Sequence, residues 1–125
     1  MFTNSMTLDD FATTIPVFPL DGALLLPSGL LPLNIFEQRY ISMVNAALEG
    51  DRLIGMIQPD QAARQAGQEG AIQSIGCVGR ITQFSETEDE RYLIMLTGLM
   101  RFKVREEIKT NCPYRIVHVD YKDYV

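Results

Sequence analysis

Tryptophan is absent from these 125 residues, histidine occurs once and cysteine twice. Those scarcities exclude most chemistry. A transition-metal centre takes three or four His, Cys or carboxylate ligands, and His118 with the widely separated Cys77 and Cys112 does not supply such a set. Nucleophilic catalysis sets a Ser, Thr or Cys beside a base. His118 lies in a strand pattern with no Ser or Cys beside it in sequence, leaving only Cys77–His118 or Cys112–His118 as pairs that folding could assemble. Neither a G-x-x-x-x-G-K-[ST] phosphate loop nor a G-x-G-x-x-G fingerprint is present. No apolar run approaches the roughly 18–20 residues of a membrane span, and MFTNSMTLDDF lacks the basic and apolar regions of a signal peptide. Basic excess is also missing. A formal net charge of −5 disfavours nonspecific contact with nucleic-acid phosphates and anionic membranes. Two free thiols in a reducing cytoplasm is the expected state.

What is present is ordinary globular composition, 46% hydrophobic and 22% charged, in a chain of one-domain length. Residues 1–13 read as a flexible N-terminal arm, with order from Thr14. Ile15 to Leu20 is apolar but carries Pro16 and Pro19, which places it at a sheet edge or entering at a strand end. Leu24 to Leu26 reads as a strand fragment closed by Pro27-Ser28-Gly29, and Leu30 to Ile35 resumes extended structure. Phe36, Tyr40, Val44 and Leu48 recur every four residues, with Ile41 and Ala47 widening the stripe. This predicts one main helix over about 36–49, with Asn34 and Glu37 as a capping box and Gly50 as a left-handed stop. Leu53 to Ile57 reads as a buried strand, and 61–70 as a loop with room for one helical turn. Strands follow at Ile75 to Phe84, Arg91 to Thr97, Met100 to Ile108 and Tyr114 to Tyr121, with an acidic hairpin tip before Arg91 and a tight connection at Gly98. Six or seven short strands with Gly and Pro turns favour a closed or nearly closed barrel.

Three surfaces merit weighing. Glu86, Glu88, Asp89 and Glu90 lack the spaced ligands and central Gly of a calcium loop and read as a solvated tip. Arg101, Lys103 and Arg105 form a basic strand face, yet Glu106 and Glu107 follow and no aromatic residue offers a stacking platform. Apolar surface is the third. Leu24, Leu25 and Leu26 lie in a Pro/Gly-bounded segment, and Met43, Met56, Met95 and Met100 add adaptable side chains. A shallow apolar site for extended peptides is the functional reading of these residues.

The residues Ile15-Pro16-Val17-Phe18-Pro19-Leu20 and Leu31-Pro32-Leu33-Asn34-Ile35-Phe36-Glu37-Gln38-Arg39-Tyr40 resemble the start of the Lon protease N-terminal domain family. Val78-Gly79-Arg80-Ile81, Leu96-Thr97-Gly98-Leu99-Met100-Arg101-Phe102 and Pro113-Tyr114-Arg115 continue the resemblance, in order, from about residue 14 to 121. The I-F-E-x-R-Y form is most similar to stand-alone members, although Gln38 stands where the family usually has Pro. The resemblance implies a mainly β (α+β) fold, a PUA-like pseudo-β-barrel over 14–125 with one packed helix. The helical subdomain that normally follows is absent here. In full-length Lon the ATPase and Ser-Lys peptidase lie elsewhere, so the resemblance implies no catalytic residue, metal or cofactor.

The expectation is therefore a cytoplasmic, non-catalytic module that recognises unfolded or degron-bearing polypeptides by their exposed apolar segments. Leu24, Leu25, Leu26 and Met100 are the peptide-binding candidates, and the affinity should be micromolar or weaker. A PUA-like RNA-binding domain and a self-association or assembly domain forming homo-oligomers are the alternatives. Nucleic acid is not the expected partner, and a membrane is not one.

Overall fold

The computed structural model describes residues 12–124. In chain order they form β1 (Thr14–Pro19), β2 (Leu30–Ile35), α1 (Gln38–Glu49), β3 (Leu53–Ile57), α2 (Gln61–Gln65), β4 (Ile75–Glu86), β5 (Tyr92–Ile108), β6 (Arg115–Asp120) and a final 3₁₀ turn, Lys122–Tyr124. The sheet order is β2-β5-β4-β3-β1-β6, and β5 also pairs with β6. Five strands, β5-β4-β3-β1-β6, thus close on themselves, and β2 is added outside β5. Closure removes open edges from those five strands.

Two layers of core follow from this. Ile15, Val17, Leu53, Ile57, Val78, Phe102, Val117, Val119 and Tyr121 fill the barrel. On the other side of the same strands, Phe18, Ile54, Met56, Cys77 and Ile81 pack with Tyr40, Ile41, Met43, Val44 and Ala47 of α1. Period-two alternation sends successive residues into the two layers. All five residues of β3 are buried for this reason. Phe102 fills the barrel because two neighbours lack side chains: a Cβ on Gly55 would stand 3.0 Å, and one on Gly76 2.6 Å, from its ring.

Several expectations change. β1 is interior, parallel to β3 and antiparallel to β6. Its prolines are tolerated because pairing is staggered. Pro16 faces only β6, whereas Pro19 faces only β3, so neither interrupts two ladders at once. The helix starts at Gln38, with Glu37 at the cap position and no side-chain cap bond. Asn34 cannot cap it, because β2 holds Asn34 opposite Leu93, and Phe36 is left exposed instead of joining the buried stripe. Gly50 is not left-handed (φ −111°). Arg52 takes that conformation, at φ 67°, while its N–H donates to the Ala47 carbonyl at 2.9 Å.

Residues after Pro59 are more ordered than a plain loop. Asp60 Oδ1 accepts the Ala63 N–H at 3.1 Å and starts α2. Arg64 Nε then donates to the Ala71 carbonyl at 2.8 Å, and Arg115 Nη1 to the Gly70 carbonyl at 2.9 Å. Gly98 makes no turn: β5 runs straight through it for 17 residues, pairing with β2 and β4 first and with β6 afterwards. Leu24–Leu26 is irregular and not a strand. Residues 1–11 of the expected arm lie outside the described residues. Ala12 and Thr13 are anchored, since the Tyr121 hydroxyl donates to the Ala12 carbonyl and the Val119 N–H to the Thr13 carbonyl at 2.8 Å.

Candidate functional site

The segment Gly22–Gly29 crosses the barrel as a strap. At one end the Gly22 N–H donates to Gln58 Oε1 at 3.3 Å, and Gln58 Nε2 donates to the Ala23 carbonyl. At the other, the Ser28 N–H donates to the Gly98 carbonyl at 2.9 Å and the Gly98 N–H to the Gly29 carbonyl at 2.8 Å. Leu25 is the peg between them. It is 5% exposed and sits over Gly79 and Gly98, which pair across β4 and β5. A Cβ on Gly79 would stand 2.8 Å from Leu25 Cδ2, and one on Gly98 3.3 Å from Leu25 Cδ1. A register shift falls at Val78/Gly79, as expected for glycine at a bulge.

With Leu25 turned in, its neighbours are turned out. Leu24 is 66% exposed and Leu26 46%. Together with Met56, Ile75, Gly76 and Arg101 they line a cavity of about 160 Å³ beside the strap. The N–H groups of Leu24, Leu25 and Leu26 donate to no backbone carbonyl among the described residues. The site therefore offers apolar contact and main-chain donors together, which is what an extended peptide needs.

The four candidate residues thus separate. Leu24 and Leu26 face the cavity. Leu25 supports it from beneath and is not available to a ligand. Met100 is half-buried and lies on the far side of Arg101, in a depression shared with Pro27, Leu99 and Tyr124. Of the other methionines, Met43 and Met56 are core, and Met95 is half-buried.

A second apolar surface had no counterpart in the sequence reading. On β2, β5 and β4, Pro32, Leu33, Phe84, Leu93 and Met95 line a depression of about 500 Å³, with Phe84 and Leu93 each more than two-fifths exposed. It is larger than the strap cavity, and its floor is the β2-β5-β4 part of the sheet. Alternation in β5 signals that Leu93 and Met95 face away from Ile94 and Leu96; nothing in sequence says that no layer covers them.

The remaining candidates resolve into structural roles. His118 Nδ1 lies 3.1 Å from Thr14 Oγ1 and 3.3 Å from the Thr13 carbonyl, so its polar partners are at the start of β1 and just before it and are not cysteines. Cys77 is buried, its thiol 3.7 Å from the Val78 carbonyl, and burial pushes that thiol up to about 11. Cys112 is exposed and free. At the acidic tip, Asp89 accepts from the Thr87 hydroxyl and pairs with Arg91 at 3.0 Å, and no cluster of three or more potential metal ligands occurs among the described residues. On the basic face, Arg105 pairs with Asp120 at 3.5 Å, while Arg101 and Lys103 point to solvent. Among the described residues no helix is long and apolar enough to cross a membrane.

Comparison with known proteins agrees with this architecture. The sequence profile of the ATP-dependent protease La (LON) substrate-binding domain matches residues 14–124. The chain is 28% identical over 109 residues to a Lon protease of Desulfosudis oleivorans, covering 86% of this chain and 13% of that protein. It is 30% identical over 105 residues to a Lon protease of Dictyoglomus thermophilum, covering 84% and 13%. The chain thus spans about one-eighth of the length of these relatives. Among solved structures, a Lon N-terminal domain protein from Xanthomonas campestris superposes with a TM-score of 0.71 at 24% identity, over 88% of this chain and 60% of that one. The N-terminal domain of a Mycobacterium avium complex Lon protease gives 0.67 at 15% identity, over 86% and 54%.

Proposed function

Because the chain belongs to the ATP-dependent protease La (LON) substrate-binding domain family, we propose that it is a non-catalytic module that binds extended, apolar segments of unfolded or degron-bearing polypeptides along the Gly22–Gly29 strap. One observation carries this reading: Leu24 and Leu26 stand exposed beside Ile75 while their own N–H groups donate to no backbone carbonyl among the described residues. A bound segment would place apolar side chains against the leucines and accept main-chain hydrogen bonds from the strap. About 200 Å² of buried apolar area at ~25 cal/mol per Å² supplies about 5 kcal/mol before ordering costs, so binding is micromolar or weaker. Titrating a dye-labelled, permanently unfolded protein with the 125-residue chain tests it. Saturable binding that is lost in Leu24→Asp and retained in Leu93→Asp is the expected result. No binding at any concentration, or loss only in Leu93→Asp, refutes it.

Self-association is the second reading, favoured by the depression on β2, β5 and β4. Among the described residues nothing pairs with the outer edge of β2, and Leu30 is 65% exposed beside it. Pro32 at mid-strand counters edge pairing by removing a donor. Sedimentation of the chain separates the two: a dimer dispersed by Leu93→Asp would favour assembly.

A further inference from the structure

The strap cavity is lined by one charged side chain, that of Arg101. Arg39, Arg91, Arg105 and Arg115 each hold a carboxylate within the chain. Arg101 holds none among the described residues, although it lies opposite Cys77 on β5 at the wall of the cavity. Arg101 borders two apolar depressions, one lined by Leu24, Leu26, Met56 and Ile75 and the other by Pro27, Leu99 and Met100. A cation bordered by apolar surface favours a ligand with one negative charge and an apolar body. A polyanion is disfavoured by the acidic chain, at net −5, and by the apolar rim.

We propose that this site takes the C-terminal end of a polypeptide whose last residues are apolar, with the terminal carboxylate on Arg101 and the final side chains against Leu24, Leu26 and Ile75. This rests on the polypeptide-binding reading and narrows its substrate class from internal segments to chain ends. Three features converge on it. Arg presents a planar fork that matches a carboxylate in two hydrogen bonds. The cavity, at about 160 Å³, is short, which suits a terminus better than a long continuous segment. The N–H groups of Leu24 and Leu26, which donate to no backbone carbonyl among the described residues, are donors for the carbonyls of the same tail. Arg101 is in this picture a ligand-binding residue that gives direction to an otherwise nonspecific apolar site.

Fluorescence anisotropy with three labelled heptapeptides tests the proposal on the full 125-residue chain. All end in Ala-Leu-Leu: one as the free acid, one as the amide, and one as the amide with a glutamate at its fourth position. The free acid is expected to bind about tenfold more tightly than either amide, the loss of one charge-assisted contact, with the difference shrinking as salt is added. Arg101→Gln should bring the acid down to the affinity of the amide and leave the amide unchanged, and Arg101→Lys should recover part of the difference. Arg101 is exposed, so an unchanged urea midpoint verifies folding of both variants. Equal binding of acid and amide, equal binding of the acid and the glutamate-bearing amide, or an equal loss of all three in Arg101→Gln would overturn the terminal-carboxylate assignment while leaving polypeptide binding intact. Failure of all three peptides and of the unfolded protein alike would overturn both.

Discussion

Gly98 lies directly beneath the carbonyl of Leu26: a Cβ built on Gly98 would stand 2.0 Å from that oxygen. The residue is glycine because a backbone passes over it, and the pairing of Gly98 N–H and carbonyl with Gly29 and Ser28 depends on that approach. Gly98→Ala should therefore lift the strap or bend β5. A loss of about 2 kcal/mol is expected, the scale of overpacking against an atom that cannot yield. Urea unfolding measures it, and peptide affinity should fall in the same variant.

The three consecutive leucines predict divergent effects. Leu25→Ala removes a buried peg and should cost about 2–4 kcal/mol. Leu24→Ala and Leu26→Ala alter exposed side chains and should change stability by less than about 0.5 kcal/mol, while weakening peptide binding severalfold. Paired urea and anisotropy measurements on the three variants check the division; similar destabilisation by all three would contradict it.

Acid stability should depend on Glu107. Arg115 donates to Glu107 Oε2 at 2.9 Å and to Oε1 at 2.7 Å, and this pairing holds the carboxyl below its ordinary value of 4.5. A carboxyl with a lowered folded value favours the folded chain when ionised. Its contribution is thus complete above pH 4.5 and is lost as pH falls through the lower value. Both groups are partly solvated, so the effect is modest. Glu107→Gln should flatten the acid limb of a stability-versus-pH curve without altering its shape near neutrality.

At alkaline pH the signs reverse. Burial raises Cys77 from 9.0 to about 11 and Tyr121 from 10.0 to about 12. In the unfolded chain both ionise at their ordinary values, so stability should be intact below pH 9 and decline as pH rises toward 12. Circular dichroism across that range, with Tyr121→Phe showing a shallower decline, is the check. At pH 8 a thiol reagent should modify exposed Cys112 quickly and Cys77 only as the protein unfolds.

Much of the architecture is readable from local pattern. The 53–57 apolar run and the alternation of Val117 and Val119 with Ile116 and His118 identify strands without reference to the rest of the chain. The helix is legible from Tyr40, Val44 and Ala47, but its start is not, because Asn34 is a sound capping residue locally and only the pairing of Asn34 with Leu93 withdraws it. Gly98 misleads in a similar way: glycine for a turn and glycine for a close approach look alike until Leu26 is seen above it. At the candidate site, sequence marks Leu24, Leu25 and Leu26 as a group. It cannot say that the middle one points inward, since that is decided by Gly79 and Gly98, more than fifty residues away. Arg101 is visible as a charge on a strand, but that no carboxylate among the described residues pairs with it is a tertiary fact.

The pairing of β1 with β6 carries a consequence for biosynthesis. Thr14 and His118, in contact through their side chains, are 104 residues apart in sequence, and β1 also aligns with β3 in parallel. Joining contacts so distant costs loop entropy before any of the pairing is recovered. During translation the first strand must therefore wait, with Ile15, Val17 and Phe18 uncovered on at least one side, until Val117 and Val119 have left the ribosome. For most of its own synthesis the domain is thus an unfolded chain with apolar residues showing.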